Sequence, residues 1–345
     1  MVIYTYLNKR EEEVMKKTKQ IVFMATVVVT MILFISTAQA NALTLRFAHV
    51  AVAGHMYQVG EKLIENIEKL SGGEIKVQHF PASQLGNLPQ MLGQLRKGTL
   101  DLFKSDYGLI MIAKGGKPFV VGFSPYLYRD QAHFEKFVAS PLFEEMMGAV
   151  EKENGIKWIG LLGNRTPRVV TTRHKMVLVP DDLKGIKIRV PKVSGIPESF
   201  EGWGASIGVV SAAEMYNALK QKVVDGQENG IEVVVDFKLY EVQKYYTAID
   251  YVRSSEGLWM NTEKWNSLSS AHKEVIVNAT KLTRVWANES LREKMLEWFD
   301  FCRDKGMTIV MPPMKPWIEA SRKVIQELDG KVWPKGLYAK IQSIE

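Results

Sequence analysis

The sequence predicts an α/β protein of two lobes, in which mixed, mostly parallel sheets are flanked by helices. Strand and helix patterns alternate between residues 43 and 104, as in a parallel sheet covered by helices. The chain has 345 residues, and chains of this size usually divide into two lobes with separate cores. Residues 271–305 lack proline and glycine, which predicts one long helix spanning both lobes.

The first elements are recognised by their apolar periods. Residues 75–80 alternate apolar and polar side chains, which is the period of a half-buried strand. Residues 60–70 place leucine and isoleucine on one side of a helix that ends at a pair of glycines. The other patterns in this half predict strands at 43–49 and 100–104 and a helix at 89–97.

More strands are predicted in the second half of the chain. The segment Ser211-Ala212-Ala213-Glu214 is a capping box, which predicts a helix from there to about residue 221. A further helix is predicted at 237–245. The strands are predicted at 156–162, 168–172, 186–190, 223–225 and 257–261.

The segment 1–40 predicts a cleaved secretory signal peptide. The basic segment Met15–Lys19 precedes an apolar run over residues 21–35, and Ala38-Gln39-Ala40 is a cleavage site of small residues. The apolar run is short for a membrane anchor, which needs about 20 residues. Because a signal peptide of ordinary form can begin at Met15, we interpret residues 1–14 as an extension upstream of the true start.

Composition argues against several classes of function. The segment 1–40 carries five Lys or Arg and three Asp or Glu, so its removal lowers the net charge from +7 to +5. The remaining charges form no basic stripe of the kind that binds nucleic acid. The only cysteine, Cys302, excludes an internal disulfide and is interpreted as a buried apolar residue. The six histidines are scattered and no phosphate-binding loop is present, so no metal and no cofactor are predicted.

The strand at 186–190 places an arginine where α/β proteins bind ligands. Apolar residues alternate with Lys187 and Arg189, and Pro191 ends the strand because proline donates no ladder hydrogen bond. Arg189 is therefore predicted near the carboxyl end of its strand, where open α/β sheets bind ligands. Its guanidinium fork matches the two oxygens of a carboxylate. Arg168 begins another strand, and if the two strands are antiparallel neighbours, both arginines meet at one sheet edge.

A catalytic alternative rests on residues 204–208, Gly-Ala-Ser-Ile-Gly, which match the nucleophile elbow of hydrolases. Asp225 or Asp236, and then His272, would complete the order of a hydrolase triad. The elbow requires a strand before the serine and a helix directly after it, whereas the pattern here is a helix before and an extended segment after. We therefore predict no catalytic residues and no enzyme, and an exported serine hydrolase using Ser206 is the alternative.

Several ordered motifs resemble those of the solute-binding proteins of TRAP transporters, the DctP family. The resemblance covers nearly the whole chain after residue 40. Its motifs are LRFAH at 45–49, FPASQLG at 80–86, GTLD at 98–101, PDDLKGIKIRV at 180–190, VVDGQEN at 223–229 and YEVQKY at 240–245.

This resemblance implies a two-lobed periplasmic binding protein that closes on a small organic acid and delivers it to the membrane permease subunits of a TRAP transporter. It implies that Arg189 forms the main salt bridge to the ligand carboxylate and that Arg168 and Asn229 also contact the ligand. We expect a periplasmic monomer without cofactor, metal or nucleic-acid partner.

The lobes are expected to be discontinuous, because chains of this family cross between them more than once. Lobe I is predicted to comprise residues 41–165 and 254–294, and lobe II residues 166–253 and 295–345. The signal peptide at 1–40 precedes both lobes.

Ala212 stands where many members of the family carry an aromatic residue against the ligand, which implies a roomier pocket. Tyr107, Tyr251 and Trp203 are candidate aromatic walls of that pocket. The sequence leaves open whether the acid is a dicarboxylate, a keto or hydroxy acid, or an aromatic acid. It also leaves open whether the partner is a permease or a sensory receptor.

Overall fold

The computed structural model describes residues 15–24 and 42–345. The chain divides into two compact units, residues 1–43 and residues 44–345. In the first unit residues 15–24 form a helix, α1, and the rest of the predicted signal peptide, with its cleavage site, lies outside the described residues. Within the two described ranges, no helix combines the length and the apolar character needed to cross a membrane.

Within residues 42–345, the first sheet consists of β1 (Leu43–Ala48), β2 (Ile75–Phe80), β3 (Leu102–Asp106), β4 (Ile156–Asn164) and β10 (Ser255–Asn261). The strand order is β2-β1-β3-β10-β4. β1 runs parallel to β3, whereas β10 is antiparallel to both of its neighbours. Helices α2 (Gly54–Leu70) and α3 (Leu88–Arg96) connect the first three strands, which confirms the predicted alternation of strand and helix.

The second sheet, in the same described range, consists of β5 (Arg168–Thr172), β6 (Lys187–Val190), β7 (Ser206–Val209), β8 (Gly226–Asn229), β9 (Tyr245–Val252) and β11 (Thr308–Val310). The strand order is β11-β9-β5-β8-β6-β7. β8 is antiparallel to β5 and parallel to β6. This sheet is therefore mixed at its centre, where the predicted ligand-binding strands lie.

The remaining helices cover the two sheets and their edges. They are α4 (Gln131–Val138), α5 (Pro141–Asn154), α6 (Ile196–Gly202), α7 (Met215–Lys220), α8 (Ile231–Asp236), α9 (Thr262–Ser267), α10 (Ser270–Asp304), α11 (Met314–Leu328) and α12 (Leu337–Gln342). Short 3-10 turns lie at Tyr107–Ile112, Lys117–Phe123, Pro180–Leu183 and Leu239–Glu241.

The long helix α10 packs against elements of both sheets, which confirms the sequence prediction. It has 35 residues and contacts β4 and α2 beside the first sheet, and α8 and β11 beside the second. The chain passes from the first sheet to the second after β4, returns after β9, and passes again through α10. The lobe boundaries given above stay a prediction.

Two predicted helices differ from the structure. Ser211 does not cap a helix, because its hydroxyl donates to the Glu214 carboxylate at 2.7 Å, and α7 begins at Met215. The helix predicted at 237–245 is wrong. Lys238 adopts a left-handed conformation with φ 55°, which stops helical propagation after α8, and β9 begins at Tyr245.

Candidate ligand-binding site

Three strands of the second sheet bring the predicted site residues to one edge. Arg168 begins β5, Asn229 ends β8, and Arg189 is the penultimate residue of β6. Because β5 runs opposite to the other two strands, its first residue lies beside their carboxyl ends. β8 separates β5 from β6, so the two arginine strands are not the neighbours considered from the sequence, but both arginines still reach the same edge.

Arg168, Arg189 and Asn229 line a common cavity of about 90 Å³. The cavity draws residues from the ends of both sheets, since Asp106 ends β3 and Arg189 lies near the end of β6. Most of the other lining residues are apolar. These are Val50, Met56, Leu88, Leu109, Phe123, Pro191, Val193, Ile196, Ala212, Met215, Val233 and Phe237.

Arg189 is a buried cation without a carboxylate partner. It is 3% exposed, and its Nε donates to the backbone oxygen of Val210 at 2.9 Å. Among residues 15–24 and 42–345, none of the ion pairs involves Arg189. Burial lowers the pKa of Arg189 to about 10, although the charge of Glu228 acts in the opposite direction. The site therefore holds a positive charge that a ligand anion can neutralise.

Arg168, by contrast, is already paired. Its Nε and Nη2 donate to the two carboxylate oxygens of Glu228, both at 2.6 Å. The Tyr251 hydroxyl donates to the same carboxylate at 2.7 Å. Burial alone would lower the pKa of Arg168, but the charge and hydrogen bonds of Glu228 raise it above its ordinary value. Glu228 thus orients Arg168 and neutralises it at the same time.

Arg165 is a cavity residue that the sequence analysis missed. It lies between β4 and β5 and pairs with Asp106 at 3.2 Å, Glu232 at 3.3 Å and Glu256 at 3.7 Å. Glu256 also receives a hydrogen bond from Lys104 at 2.9 Å. The side chains of these five residues, which we call the acidic cluster, are at most 8% exposed. A lone arginine in a connecting segment carries no sequence signal for such a position.

Asn229 faces the cavity from the end of β8. Its Nδ2 donates to Gln227 Oε1 at 2.8 Å and lies 4.0 Å from the sulfur of Met215. The other polar residues that line the cavity are arginines and an aspartate, so the Asn229 amide is the uncharged polar side chain of the lining.

The three predicted aromatic walls lie in the core and do not line the cavity. The hydroxyls of Tyr107 and Tyr128 form a hydrogen bond of 2.6 Å. The Tyr251 hydroxyl donates a hydrogen bond to Glu228, and Trp203 packs edge-on against Trp317. All three are at most 2% exposed. Phe123 and Phe237 are the aromatic residues that line the cavity, and no motif in the sequence distinguishes them from core aromatics.

The local geometry does not assemble the hydrolase triad. Ser206 begins the edge strand β7, and its hydroxyl lies 3.4 Å from the backbone oxygen of Ile186. His272 lies at the start of α10, where its Nε2 is 3.2 Å from Glu74. Within the described ranges, no group of three or more His, Cys, Asp or Glu residues is arranged to hold a metal ion.

Asp236 lies beside the cavity at the junction of α8 and α2. It is 8% exposed, and the backbone N–H of Met56, in the first turn of α2, donates to its Oδ2 at 3.4 Å. Burial raises the pKa of Asp236 to about 7, and the nearby charge of Glu232 adds to this effect. The folded protein therefore retains a proton on Asp236 at pH values where the unfolded chain has released it.

This raised pKa predicts that stability falls as the pH rises. The contribution of the protonated carboxyl is complete below about pH 4 and is lost as the pH rises through about 7. Asp236→Asn should therefore remove a decline of roughly 2–3 kcal/mol in the free energy of unfolding between about pH 5 and about pH 8. Urea unfolding at the two pH values measures it, with the exposed Asp181→Asn as control. An unchanged pH slope in Asp236→Asn would contradict the prediction.

A cavity between the ends of two mixed sheets, with a long helix packed against both, defines a two-lobed ligand-binding protein. The DctP family, described as bacterial extracellular solute-binding protein, family 7, matches residues 47–331. The chain belongs to this family.

Three proteins with described ligands are similar to this chain over most of their length. The sialic acid-binding periplasmic protein SiaP of Vibrio cholerae is 26% identical over 299 residues, covering 86% of this chain and 92% of the relative. The 2,3-diketo-L-gulonate-binding periplasmic protein YiaO of Escherichia coli is 26% identical over 311 residues, covering 87% and 91%. A TRAP periplasmic solute-binding protein from Ochrobacterium anthropi with bound L-fuconate is 26% identical, with a TM-score of 0.80 and coverage of 88% and 99%.

Proposed function

We propose that the protein is a periplasmic receptor that binds an organic acid through Arg189 and delivers it to the membrane permease of a TRAP transporter. The observation that carries the proposal is the burial of Arg189 beside the cavity without a carboxylate partner. The relatives named above are described with sialic acid, 2,3-diketo-L-gulonate and L-fuconate, which are all organic acids. Their names and titles support the same class of ligand here.

The ligand carboxylate accepts hydrogen bonds from Arg189, and Arg168 and Asn229 complete its surroundings. Each charge-assisted hydrogen bond contributes on the order of 1.5–3 kcal/mol. An unpaired buried charge costs roughly 3–5 kcal/mol, and this cost disfavours the closed arrangement of the lobes until an anion enters. The acid removes the cost and shifts the population toward the closed form, which the permease distinguishes by shape.

The predicted signal peptide supports the periplasmic location. A basic segment, an apolar run and a small-residue cleavage site within the segment 1–40 direct secretion. Intact-mass measurement of the protein recovered from the periplasm tests this step. Cleavage after Ala40 is the expected result, and a periplasmic protein that retains residues 1–40 would contradict it.

A thermal-shift screen of carboxylic acids tests the receptor function. Because a ligand that binds only the folded state raises the melting temperature, at least one acid should raise it in a concentration-dependent manner, whereas the corresponding primary amide should not. The amide has the same carbon skeleton without the negative charge. An equal response to the acid and its amide would contradict recognition through Arg189.

A further inference from the structure

The charges around the cavity are balanced at every cation except Arg189. Arg168 is neutralised by Glu228 at 2.6 Å. Arg165 is paired with Asp106, Glu232 and Glu256. Glu256 also pairs with Lys104, and Asp106 Oδ2 also lies 3.9 Å from Arg168 Nη1. Among the residues that the structure describes, Arg189 is thus the cavity-lining cation without an ion pair. One ligand carboxylate is enough to neutralise it.

A second ligand carboxylate would meet an unfavourable environment. The acidic cluster contains three carboxylates and two cations, Lys104 and Arg165, and therefore carries surplus negative charge. Asp106, its acidic member on the cavity wall, already accepts hydrogen bonds from the Gly108 N–H at 3.1 Å, the Ser254 hydroxyl at 2.7 Å and Arg165. Its oxygens serve as acceptors and repel a second anion.

The walls away from the arginines offer few partners for hydroxyl groups. Apart from the three arginines, Asp106 and Asn229, the lining residues are apolar. Val193 is 9%, Met215 1% and Val233 4% exposed, so these apolar walls are largely shielded from water. Asn229 already donates to Gln227. A hydroxyl buried against such walls loses its hydrogen bonds to water without replacement.

We propose that the ligand is an apolar monocarboxylate, in which one carboxylate binds Arg189 and a hydrocarbon portion fills the apolar part of the cavity. This inference rests on the proposed function, since it assigns the substrate class of the same site. Polyhydroxylated acids and dicarboxylates are disfavoured, the first by unpaired hydroxyls and the second by an unpaired charge.

Three acids with six carbons each separate these classes. Hexanoate carries one carboxylate and an apolar tail, gluconate carries one carboxylate and hydroxyls, and adipate carries two carboxylates. Isothermal titration calorimetry of the full mature protein should give the tightest binding for hexanoate. Even a single added hydroxyl can be worth about 100-fold in an apolar pocket, so gluconate should bind at least that much more weakly.

The linear acids from propanoate to hexanoate provide a second measurement. Each methylene group that enters the apolar cavity should raise the affinity about fourfold. Val193→Thr places a hydroxyl on the apolar wall with little change in shape, and it should weaken hexanoate about tenfold or more. Val223→Thr makes the same change at a site that is 51% exposed and outside the cavity, and it should have no effect.

The outcomes distinguish the inference from the function on which it rests. Tighter binding of gluconate or adipate than of hexanoate, with binding still lost in Arg189→Met, overturns the apolar class but leaves the receptor function intact. A flat affinity across the linear acids also overturns the apolar class. Failure of the folded protein to bind any acid of the thermal-shift screen overturns the receptor function and the inference together.

Discussion

Arg189→Met is expected to abolish binding of carboxylates while making the ligand-free protein more stable. Removing one partner of a buried charge pair costs about 2–5 kcal/mol, so the affinity should fall at least about 30-fold. Without ligand the buried charge of Arg189 lowers the free energy of unfolding, and the same burial lowers the pKa of Arg189 to about 10. At neutral pH the guanidinium is charged in the folded and unfolded states alike, so the penalty applies whenever the lobes close over Arg189 without a ligand.

The gain in stability should be about 1–3 kcal/mol, since the desolvation cost of about 3 kcal/mol is partly avoided when the ligand-free lobes open and partly offset by the lost hydrogen bond to Val210. Calorimetry measures the binding, and urea unfolding at neutral pH measures the stability. Arg322→Met replaces an exposed arginine of α11 and should change neither quantity. Wild-type affinity of Arg189→Met for the acid would disprove the role of this residue in binding. A variant that is at least as stable as the wild type is folded, so its loss of binding could not be caused by unfolding.

Glu228→Gln is expected to destabilise the protein by about 3–5 kcal/mol, because the buried Arg168 loses its bidentate partner and keeps only the Asp106 carboxylate, 3.9 Å from its Nη1. Arg168 is 5% and Glu228 0% exposed, so water does not replace the lost partner. Tyr251→Phe removes only the hydroxyl that donates to Glu228 and should cost about 1 kcal/mol. Urea unfolding measures both effects, with the exposed Glu327→Gln as the matched control.

The same substitution should alter ligand selectivity. With Arg168 no longer neutralised, the cavity gains a second cation, and adipate should gain affinity relative to hexanoate. Binding of adipate should also restore part of the lost stability, since it binds only the folded state. Equal unfolding midpoints for the wild type and Glu228→Gln would show that Glu228 does not compensate Arg168 in the folded protein.

Local patterns predicted much of the framework. An alternating apolar period predicted the strand Lys187–Val190. A long stretch without proline or glycine predicted the helix Ser270–Asp304. The helix expected at 237–245 is absent because Lys238 adopts a left-handed conformation, which the local apolar period does not record. Propensity and period describe a segment alone, whereas its final conformation also depends on distant residues.

The candidate site was predictable only where a motif specified both residue type and position. Arg168, Arg189 and Asn229 lie at strand ends, and parallel or antiparallel strands bring such positions to one edge. The pairing of Arg168 with Glu228 was not predictable, because it depends on β8 lying between β5 and β6. The orientation of aromatic residues was equally hidden, since no local pattern separates Phe123 from Tyr107 and only Phe123 faces the cavity.

The length and continuity of α10 limit how the two sheets can change their relative orientation. A helix of 35 residues extends about 50 Å at 1.5 Å per residue, and it has no proline or glycine at which to kink. If the lobes open, we expect the change to be taken up by gentle curvature spread over many turns and by rotation in the two strand connections after β4 and β9. We therefore expect such a helix to resist sharp bending, so that its stiffness would oppose any large change in the relative orientation of the two sheets.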